Sequence, residues 1–217
     1  REVADAYLRG LERLAEGGGD LSKVASVASF FVSRVDTEAD KRLDAVDPPA
    51  RDELKGKLAI ANAKLAYQSY KEIFSGPRWE RLAAKGATVQ RCLWASTSTK
   101  NPAYRDVLYV EELIGPDTVD TMPRETVEAF MDHGVVGDTL EHDVEGARKV
   151  LDDLAAAGVD YDDVVATLER EGVKKFADSF NELFSHIESK RDQLADSGDS
   201  NGSTRAMASP SARGAEA

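Results

Sequence analysis

The stretch Ala25–Asp44, ASVASFFVSRVDTEADKRLD, decides the fold, because it begins as a β-strand and ends in a dense run of charge. Its residues alternate from Val24 to Ser33, so successive side chains point to opposite faces of the strand. One face carries the larger apolar groups toward its far end, and the other carries small and hydroxyl groups around the ring of Phe31. This pattern is typical of a barrel wall with helices outside and a substrate inside. Arg34 follows at the carboxyl end of the strand, where such barrels keep their chemistry.

The rest of the chain alternates between helical and strand patterns. Two further strands are predicted at Thr88–Ala95 and Asp117–Thr121. Apolar residues at helical spacing predict five helical segments, at 3–14, 54–74, 79–85, 141–157 and 161 to about 194, and a further helix starts at Thr121 or Pro123. The charged segment Asp36–Asp52 is predicted to be a loop with at most a helical turn. The order indicates an α/β protein, although three strands alone do not close a barrel.

Composition favours one acidic domain followed by a tail. The chain has 217 residues, enough for a sizeable core, and its formal net charge is −12. This charge argues against non-specific binding to nucleic acid and against an anionic membrane surface. A single cysteine, Cys92, fits a reducing compartment, and with neither a signal peptide nor a long apolar run we expect a cytoplasmic protein. Residues 1–195 form the predicted domain, and the Ser-, Gly- and Ala-rich residues 196–217 form a predicted disordered tail.

The element Ser29–Arg34, SFFVSR, resembles the Ser-Pro-Phe-Val-Gly-Arg element of transaldolases. The surrounding residues of Ala25–Asp44 are similar to the actinobacterial branch of that family. The resemblance continues through three later blocks and covers most of residues 1 to about 191; the blocks are Ala59–Phe74, Gln90–Asp106 and Tyr109–Pro123. It implies that the chain is the C-terminal part of a TIM (β/α)8 barrel, comprising about strands six to eight and the terminal helices.

The resemblance also implies an activity. Transaldolases of the pentose phosphate pathway transfer a dihydroxyacetone unit from sedoheptulose 7-phosphate to glyceraldehyde 3-phosphate through a lysine Schiff base, giving erythrose 4-phosphate and fructose 6-phosphate. They need no cofactor and no metal ion. The family's lysine and its acid/base carboxylates lie on earlier strands, which would precede Arg1, and their motifs do not occur in this sequence. We therefore expect a fragment that carries no catalytic residue, is inactive alone and supplies the phosphate-binding side.

Three residues of the first strand are candidates for substrate binding. Arg34 matches the family arginine that holds the sugar phosphate, and a guanidinium offers forked donors that suit phosphate oxygens. The alternative is a surface arginine paired with one of the nearby carboxylates of residues 36, 38 and 40. Ser29 matches a serine whose hydroxyl can bond the substrate, and the alternative is a small core residue. Phe31 matches an aromatic that shapes the pocket, with core packing as the alternative.

Lys100 and Ser96 are candidates in the polar loop after the second strand. The family places a cationic residue followed by Asn just after its seventh strand, as a second phosphate contact, and Lys100-Asn101 fits that pattern. Barrels of this type often bind phosphate at the loops after their last strands. An exposed lysine, or an aldolase that forms its imine at Lys100, are the alternatives. Ser96 is expected to line the same pocket.

Other functional classes remain open from the sequence. The helix-rich second half and the absent lysine strand would also suit a non-catalytic helical interaction or regulatory fragment. The three histidines are spread without metal-ligand spacing, so no metal site is predicted. Phosphorylated sugars are the expected ligands, and a homodimer is left open.

Overall fold

The structure, a computed structural model, describes residues 1–47 and 49–202 of the chain. The described residues form three strands, which are β1 (Ser26–Phe31), β2 (Gln90–Ala95) and β3 (Thr118–Asp120). The helices within the same residues are α1 (Glu2–Glu16), α2 (Ser33–Leu43), α3 (Ala50–Leu54), α4 (Leu58–Ile73), α5 (Pro77–Ala83), α6 (Leu108–Glu112), α7 (Arg124–His133), α8 (Val144–Ala156) and α9 (Tyr161–Gly202). The α/β class and the three predicted strands are confirmed.

The strands form one parallel sheet in the order β1-β2-β3. Helices lie between successive strands, as a parallel connection requires. Ser29 pairs with Leu93, which in turn pairs with Val119. Because paired residues of parallel strands in register lie on the same face, these three side chains share one face of the sheet. The three strands, however, do not close, so the full barrel stays an implication of the resemblance.

The two faces of the sheet differ in what covers them. On the helix side the rings of Phe30 and Trp94 meet edge to face, with 5.8 Å between their centroids. On the other face, which we call the open face, Ser29 is exposed and Val27 and Phe31 keep 39% and 38% of their surface exposed. The alternation predicted from Val24 onward therefore separates a packed face from an open one, and the predicted site residues Ser29 and Phe31 lie on the open face.

Two clusters of buried apolar side chains support the sheet and its helices. The larger cluster joins the sheet to α2, α4, α6 and α8, and its largest fully buried members include Leu43, Leu58, Trp94, Tyr109 and Leu154. The smaller cluster joins α1 to α4 and α5; its buried members are Leu8, Leu11, Leu21, Phe74, Trp79 and Leu82. The larger cluster fixes the position of α2, which carries Arg34.

The prediction of a loop at Asp36–Asp52 was wrong, because α2 and α3 occupy most of it. The apolar residues Val35, Ala39 and Leu43 recur every four positions and are all buried. They form a narrow apolar stripe that the many charged residues around it obscure in the sequence. Arg34 consequently lies in the first turn of a helix rather than in a loop.

The chain divides into two compact units, residues 1–168 and residues 169–217. Described alone, the second unit continues α9 as far as Gly202, with exposed apolar side chains that include Phe176, Phe180 and Leu183. The predicted tail, 196–217, thus begins within α9, and its residues 203–217 lie outside the described residues. Among the helices described, none has the length and apolar character needed to cross a membrane.

Candidate functional site

The candidate site lies at the carboxyl edge of the sheet, where three chain segments leave it. The backbone N–H of Ser33 donates to the carbonyl oxygen of Ser96, with 3.0 Å between the two atoms. The N–H of Thr121 donates in the same way to the carbonyl of Trp94 at 3.0 Å. These bonds continue the sheet ladder past its regular end. The segments after β1, β2 and β3 are therefore held side by side.

Arg34 lies beside the open face. Its side chain is exposed, and its guanidinium carbon stands 4.6 Å from the centroid of the Phe31 ring. A guanidinium over an aromatic face is attracted by the ring's quadrupole, which restricts its orientation. Because Ser29 lies two residues before Phe31 on the same face, the structure brings Ser29, Phe31 and Arg34 to one end of β1.

The carboxylates near Arg34 in sequence are bound to other groups. Asp36 and Asp40 accept hydrogen bonds from backbone N–H groups and tyrosine hydroxyls, and Glu38 pairs with Arg42. Within the described part of the chain no carboxylate forms an ion pair with Arg34. The alternative of a paired surface arginine is therefore not what the structure has, and the guanidinium donors of Arg34 remain available to an anion.

Arg34 lies at the start of α2, where the helix dipole adds to the positive charge of its guanidinium. The first turn of a helix carries unsatisfied N–H groups and the positive end of the helix dipole. Asp36 also lies in this turn, but it is only 1% exposed and its carboxylate is directed into the protein. Burial raises the pKa of Asp36 to about 6, against the opposing effect of its hydrogen bonds from Ala59 and Tyr109.

Ser96 starts the loop after β2 in an unusual conformation. Its φ angle is 56°, in the left-handed region that residues other than glycine seldom adopt. The next residue, Thr97, is completely buried, and its hydroxyl donates to Oδ1 of Asp120 at 2.9 Å. Burial raises the pKa of Asp120 to about 6. The turn at Ser96 is thus held by a buried contact between the ends of β2 and β3.

Lys100 lies further along this loop. Its side chain is exposed and its amine donates to the hydroxyl of Ser98 at 3.0 Å. It lines a cavity of about 250 Å³ together with Ser33 and Thr37 of α2, and Arg34 is not part of that lining. Arg34 belongs to α2 and Lys100 lies in the loop beside that helix, but only Lys100 lines this cavity. The carboxylates of Asp36 and Asp40 in α2, and of Asp44 just after it, also line the cavity.

Contacts that the sequence did not predict hold α2 against the segment after β2. Asp36 and Asp40 of α2, with Tyr104 and Tyr109 of the segment after β2, form hydrogen bonds between the two. The available signal was a pair of aspartates four positions apart in a segment that also has an apolar repeat. In the part of the chain that the structure describes, no group of three or more His, Cys, Asp or Glu side chains is arranged to hold a metal ion.

Comparison with known proteins relates most of the chain to one family. The family model described as Transaldolase/Fructose-6-phosphate aldolase matches residues 1–187. A protein named Transaldolase from Parafrankia sp. (strain EAN1pec) is 59% identical over 193 residues, which are 88% of this chain and 52% of that protein. A Transaldolase from Mycobacterium leprae is 54% identical over 197 residues, which are 90% of this chain and 52% of that protein. The chain spans about half the length of the curated relatives it matches.

Proposed function

Because the chain belongs to the transaldolase/fructose-6-phosphate aldolase family, we propose that it is part of a transaldolase and supplies the phosphate-holding side of the active site. On this proposal β1, β2 and β3 are the last three strands of an eight-stranded barrel, and the open face lines its interior. The observation that carries the proposal is Arg34, an exposed guanidinium without a carboxylate partner among the described residues, placed over Phe31 at the carboxyl edge of the sheet.

The chemistry of the edge suits a phosphorylated sugar. The guanidinium of Arg34 can bind two phosphate oxygens at once, and it stands at the positive end of the α2 dipole, which favours an anion there. The hydroxyl of Ser29 lies two residues back along β1, about 7 Å deeper in the open face. A sugar whose phosphate lies at Arg34 would therefore direct its carbon chain past Phe31 toward Ser29. Lys100 would contribute positive charge from the neighbouring loop.

The proposed reaction transfers a dihydroxyacetone unit from sedoheptulose 7-phosphate to glyceraldehyde 3-phosphate. The ketose carbonyl condenses with a lysine amine and releases water, the carbon–carbon bond breaks to release erythrose 4-phosphate, and the bound unit adds to the acceptor aldehyde. Hydrolysis of the new imine then releases fructose 6-phosphate. We assign the lysine and the acid/base carboxylates to the half of the family's length that this chain does not span. The chain's own contribution is to hold the phosphate, so that the reacting carbon lies at the lysine.

A second candidate, a non-catalytic helical interaction fragment, is favoured by α9. Within the second unit this helix exposes Phe176, Phe180 and Leu183. The gene sequence upstream of Arg1 separates the candidates. An in-frame segment with the family's lysine strand supports the enzyme, and a start codon directly before Arg1 supports the fragment.

Replacement of Arg34 tests the proposed role directly. In a complete enzyme that contains this segment, Arg34→Ala should raise the KM for glyceraldehyde 3-phosphate by about 10- to 100-fold, since it removes a charge-assisted hydrogen bond. The KM for unphosphorylated glyceraldehyde should change much less. Arg34→Lys keeps the positive charge but loses the paired guanidinium donors, so its KM for glyceraldehyde 3-phosphate should lie between those of the unmodified enzyme and of Arg34→Ala.

The exposed arginine Arg13 of α1 provides the matched control. Arg13→Ala removes the same charge from α1, an element that carries none of the proposed site residues, and should leave both KM values unchanged. An equal loss with phosphorylated and unphosphorylated acceptors in Arg34→Ala would show that Arg34 does not bind phosphate.

The role of Lys100 can be separated from that of the Schiff-base lysine. Borohydride reduces an imine to a stable amine, so incubation of this chain with fructose 6-phosphate and borohydride marks any imine-forming lysine. We expect no adduct at Lys100 in peptide mass spectra, because the proposed role of this amine is phosphate contact. A sugar adduct at Lys100 would instead support an aldolase that uses this residue.

A further inference from the structure

We propose that Asp36 and Asp40 are positioning residues, which hold the helix of Arg34 at a set spacing from the loop of Lys100. Each carboxylate does so by accepting one backbone N–H and one tyrosine hydroxyl. This inference rests on the proposed function, because it deepens the role given there to Arg34 and Lys100.

Asp36 joins three helices at one buried point. Its Oδ1 accepts the backbone N–H of Ala59, in the first turn of α4, at 2.7 Å. Its Oδ2 accepts the hydroxyl of Tyr109, in α6, at 2.8 Å. Asp36 and Tyr109 are each 1% exposed. The carboxylate also lies at the positive end of the α4 dipole, which favours an acceptor there.

Asp40 repeats this arrangement one helical turn later. Its Oδ1 accepts the backbone N–H of Gly56 at 3.0 Å, and its Oδ2 accepts the hydroxyl of Tyr104. Residues four apart in a helix lie on the same face, so both carboxylates of α2 are directed toward the same two segments. One segment leads into α4, and the other connects the loop of Lys100 to α6.

The use of both oxygens makes each aspartate hard to replace. A carboxylate offers two acceptor oxygens, whereas an asparagine side chain offers one acceptor oxygen and one donor group. With asparagine at position 40, the amide oxygen could still accept the N–H of Gly56, but the amide nitrogen could only donate to the Tyr104 oxygen, which reverses that bond and leaves the Tyr104 proton without Asp40 as its acceptor. Only a carboxylate accepts both bonds in the direction that the structure shows, and a donor left without an acceptor weakens the contact.

The contacts act on the residues proposed to bind phosphate. Arg34 lies two residues before Asp36 in the first turn of α2, and a helical turn moves as a unit. Tyr104 lies four residues after Lys100 and is bound to the same helix. A shift of α2 relative to this segment would change the distance between the two cations. Displacements of about 1 Å at a substrate-holding group are enough to weaken binding in the transition state.

The burial of Asp36 distinguishes positioning from catalysis. A side chain with 1% of its surface exposed does not reach a substrate on the open face. Both carboxylate oxygens of Asp40 accept hydrogen bonds, from Gly56 and Tyr104, and it is Arg34 that covers the Phe31 ring. Both residues therefore act through Arg34 and Lys100, and their removal should alter phosphate binding without removing a reacting group.

Tyrosine-to-phenylalanine variants of a complete enzyme test the proposal with the removal of one oxygen atom each. Tyr104→Phe and Tyr109→Phe should each raise the KM for glyceraldehyde 3-phosphate about three- to tenfold, as for the loss of one hydrogen bond, with a smaller change for glyceraldehyde. The matched control is Tyr67→Phe. Tyr67 is 2% exposed and donates its hydroxyl to the carbonyl of Pro116 at 3.0 Å, outside the α2 contacts.

A merely structural role would make all three variants alike, with similar losses in thermal stability and no change in the ratio of the two KM values. That result would overturn the proposal. Asp40→Asn provides a second test if a tyrosine variant does not fold, and it should reproduce the selective rise in KM. If Arg34→Ala is itself without selectivity, the proposed function fails and the positioning role fails with it. If Arg34→Ala is selective and the tyrosine variants equal Tyr67→Phe, the positioning role alone is wrong.

Discussion

Asp120 shows how burial changes the chemistry of a single side chain at the sheet edge. It ends β3 and accepts the hydroxyl of Thr97, which is completely buried. Desolvation disfavours its charged form and raises its pKa from 3.8 to about 6, although the hydrogen bonds from Thr97 and from the backbone of Thr121 oppose the shift. Asp120 helps to hold the turn at Ser96, so its protonation state is coupled to the stability of the site.

The raised pKa predicts how Asp120→Asn changes stability with pH. Between pH about 4 and about 6 the folded protein keeps a proton that the unfolded chain has lost, so the stabilising contribution of Asp120 falls as the pH rises through this range. Asparagine keeps an acceptor oxygen and does not titrate. The free energy of unfolding lost in Asp120→Asn should therefore be larger at pH 4 than at pH 7.

Urea unfolding of a complete enzyme and its variant at several pH values measures this difference. Asp138→Asn, at an exposed position, is the control for the same loss of one carboxylate. A loss in Asp120→Asn that grows from pH 4 to pH 7 would show that burial does not raise the pKa.

Helix α2 shows how an element with few apolar residues can still occupy a central position. Its apolar stripe is narrow, and polar contacts at Asp36 and Asp40 supplement it. The contact at Asp40 requires a glycine at position 56 for two reasons. The φ angle of Gly56 is +73°, and a Cβ atom there would lie 2.8 Å from Cζ of Tyr104. The segment before α4 therefore depends on the absence of a side chain.

Gly56→Ala should destabilise the protein by about 1–3 kcal/mol, from left-handed strain and from the displacement of Tyr104. Gly10→Ala is the matched control, because Gly10 lies inside α1 and nothing lies within 4 Å of its added Cβ. There the substitution should stabilise the helix by about 0.5–1 kcal/mol. Thermal unfolding of a complete enzyme that contains this segment measures both changes, and a neutral Gly56→Ala would contradict the contact with Tyr104.

At the scale of the whole molecule, the first compact unit, residues 1–168, exposes surfaces that isolated proteins normally cover. The described sheet has three strands, so β1 and β3 are both at its edges, and the open face carries Val27 and Phe31 exposed. Unpaired edges and exposed apolar faces favour association with other chains. The net charge of −12 opposes association only at long range.

We therefore expect the isolated chain to be unstable or to aggregate. Light scattering should show association, and Val27→Lys, which places a charge on the open face of the edge strand, should reduce it. Val3→Lys, at a position in α1 that is 62% exposed, is the control and should reduce it less. A cooperative thermal transition of the unmodified chain at low concentration would contradict the expectation.

The pattern of neighbouring residues in the sequence was sufficient to predict the three strands and the two faces of β1. The alternation from Val24 onward required only neighbouring residues, and it correctly separated Ser29 and Phe31 from the packed face. The same reasoning failed at Asp36–Asp52, because charge density concealed a stripe whose members are four positions apart. That Ser29, Phe31, Arg34, Ser96 and Lys100 bind substrate stays a prediction, since it came from the resemblance.

The partners of the charged groups could not be read from the sequence. Asp36 is close to Arg34 along the chain, yet it bonds to Ala59 and Tyr109, which lie 23 and 73 positions away. Only the folded chain brings those groups together, and because both oxygens of Asp36 are bonded to them, Asp36 does not pair with Arg34. Alternation and helical spacing are set by the local geometry of the backbone, whereas hydrogen-bond partners are set by the packing of distant segments.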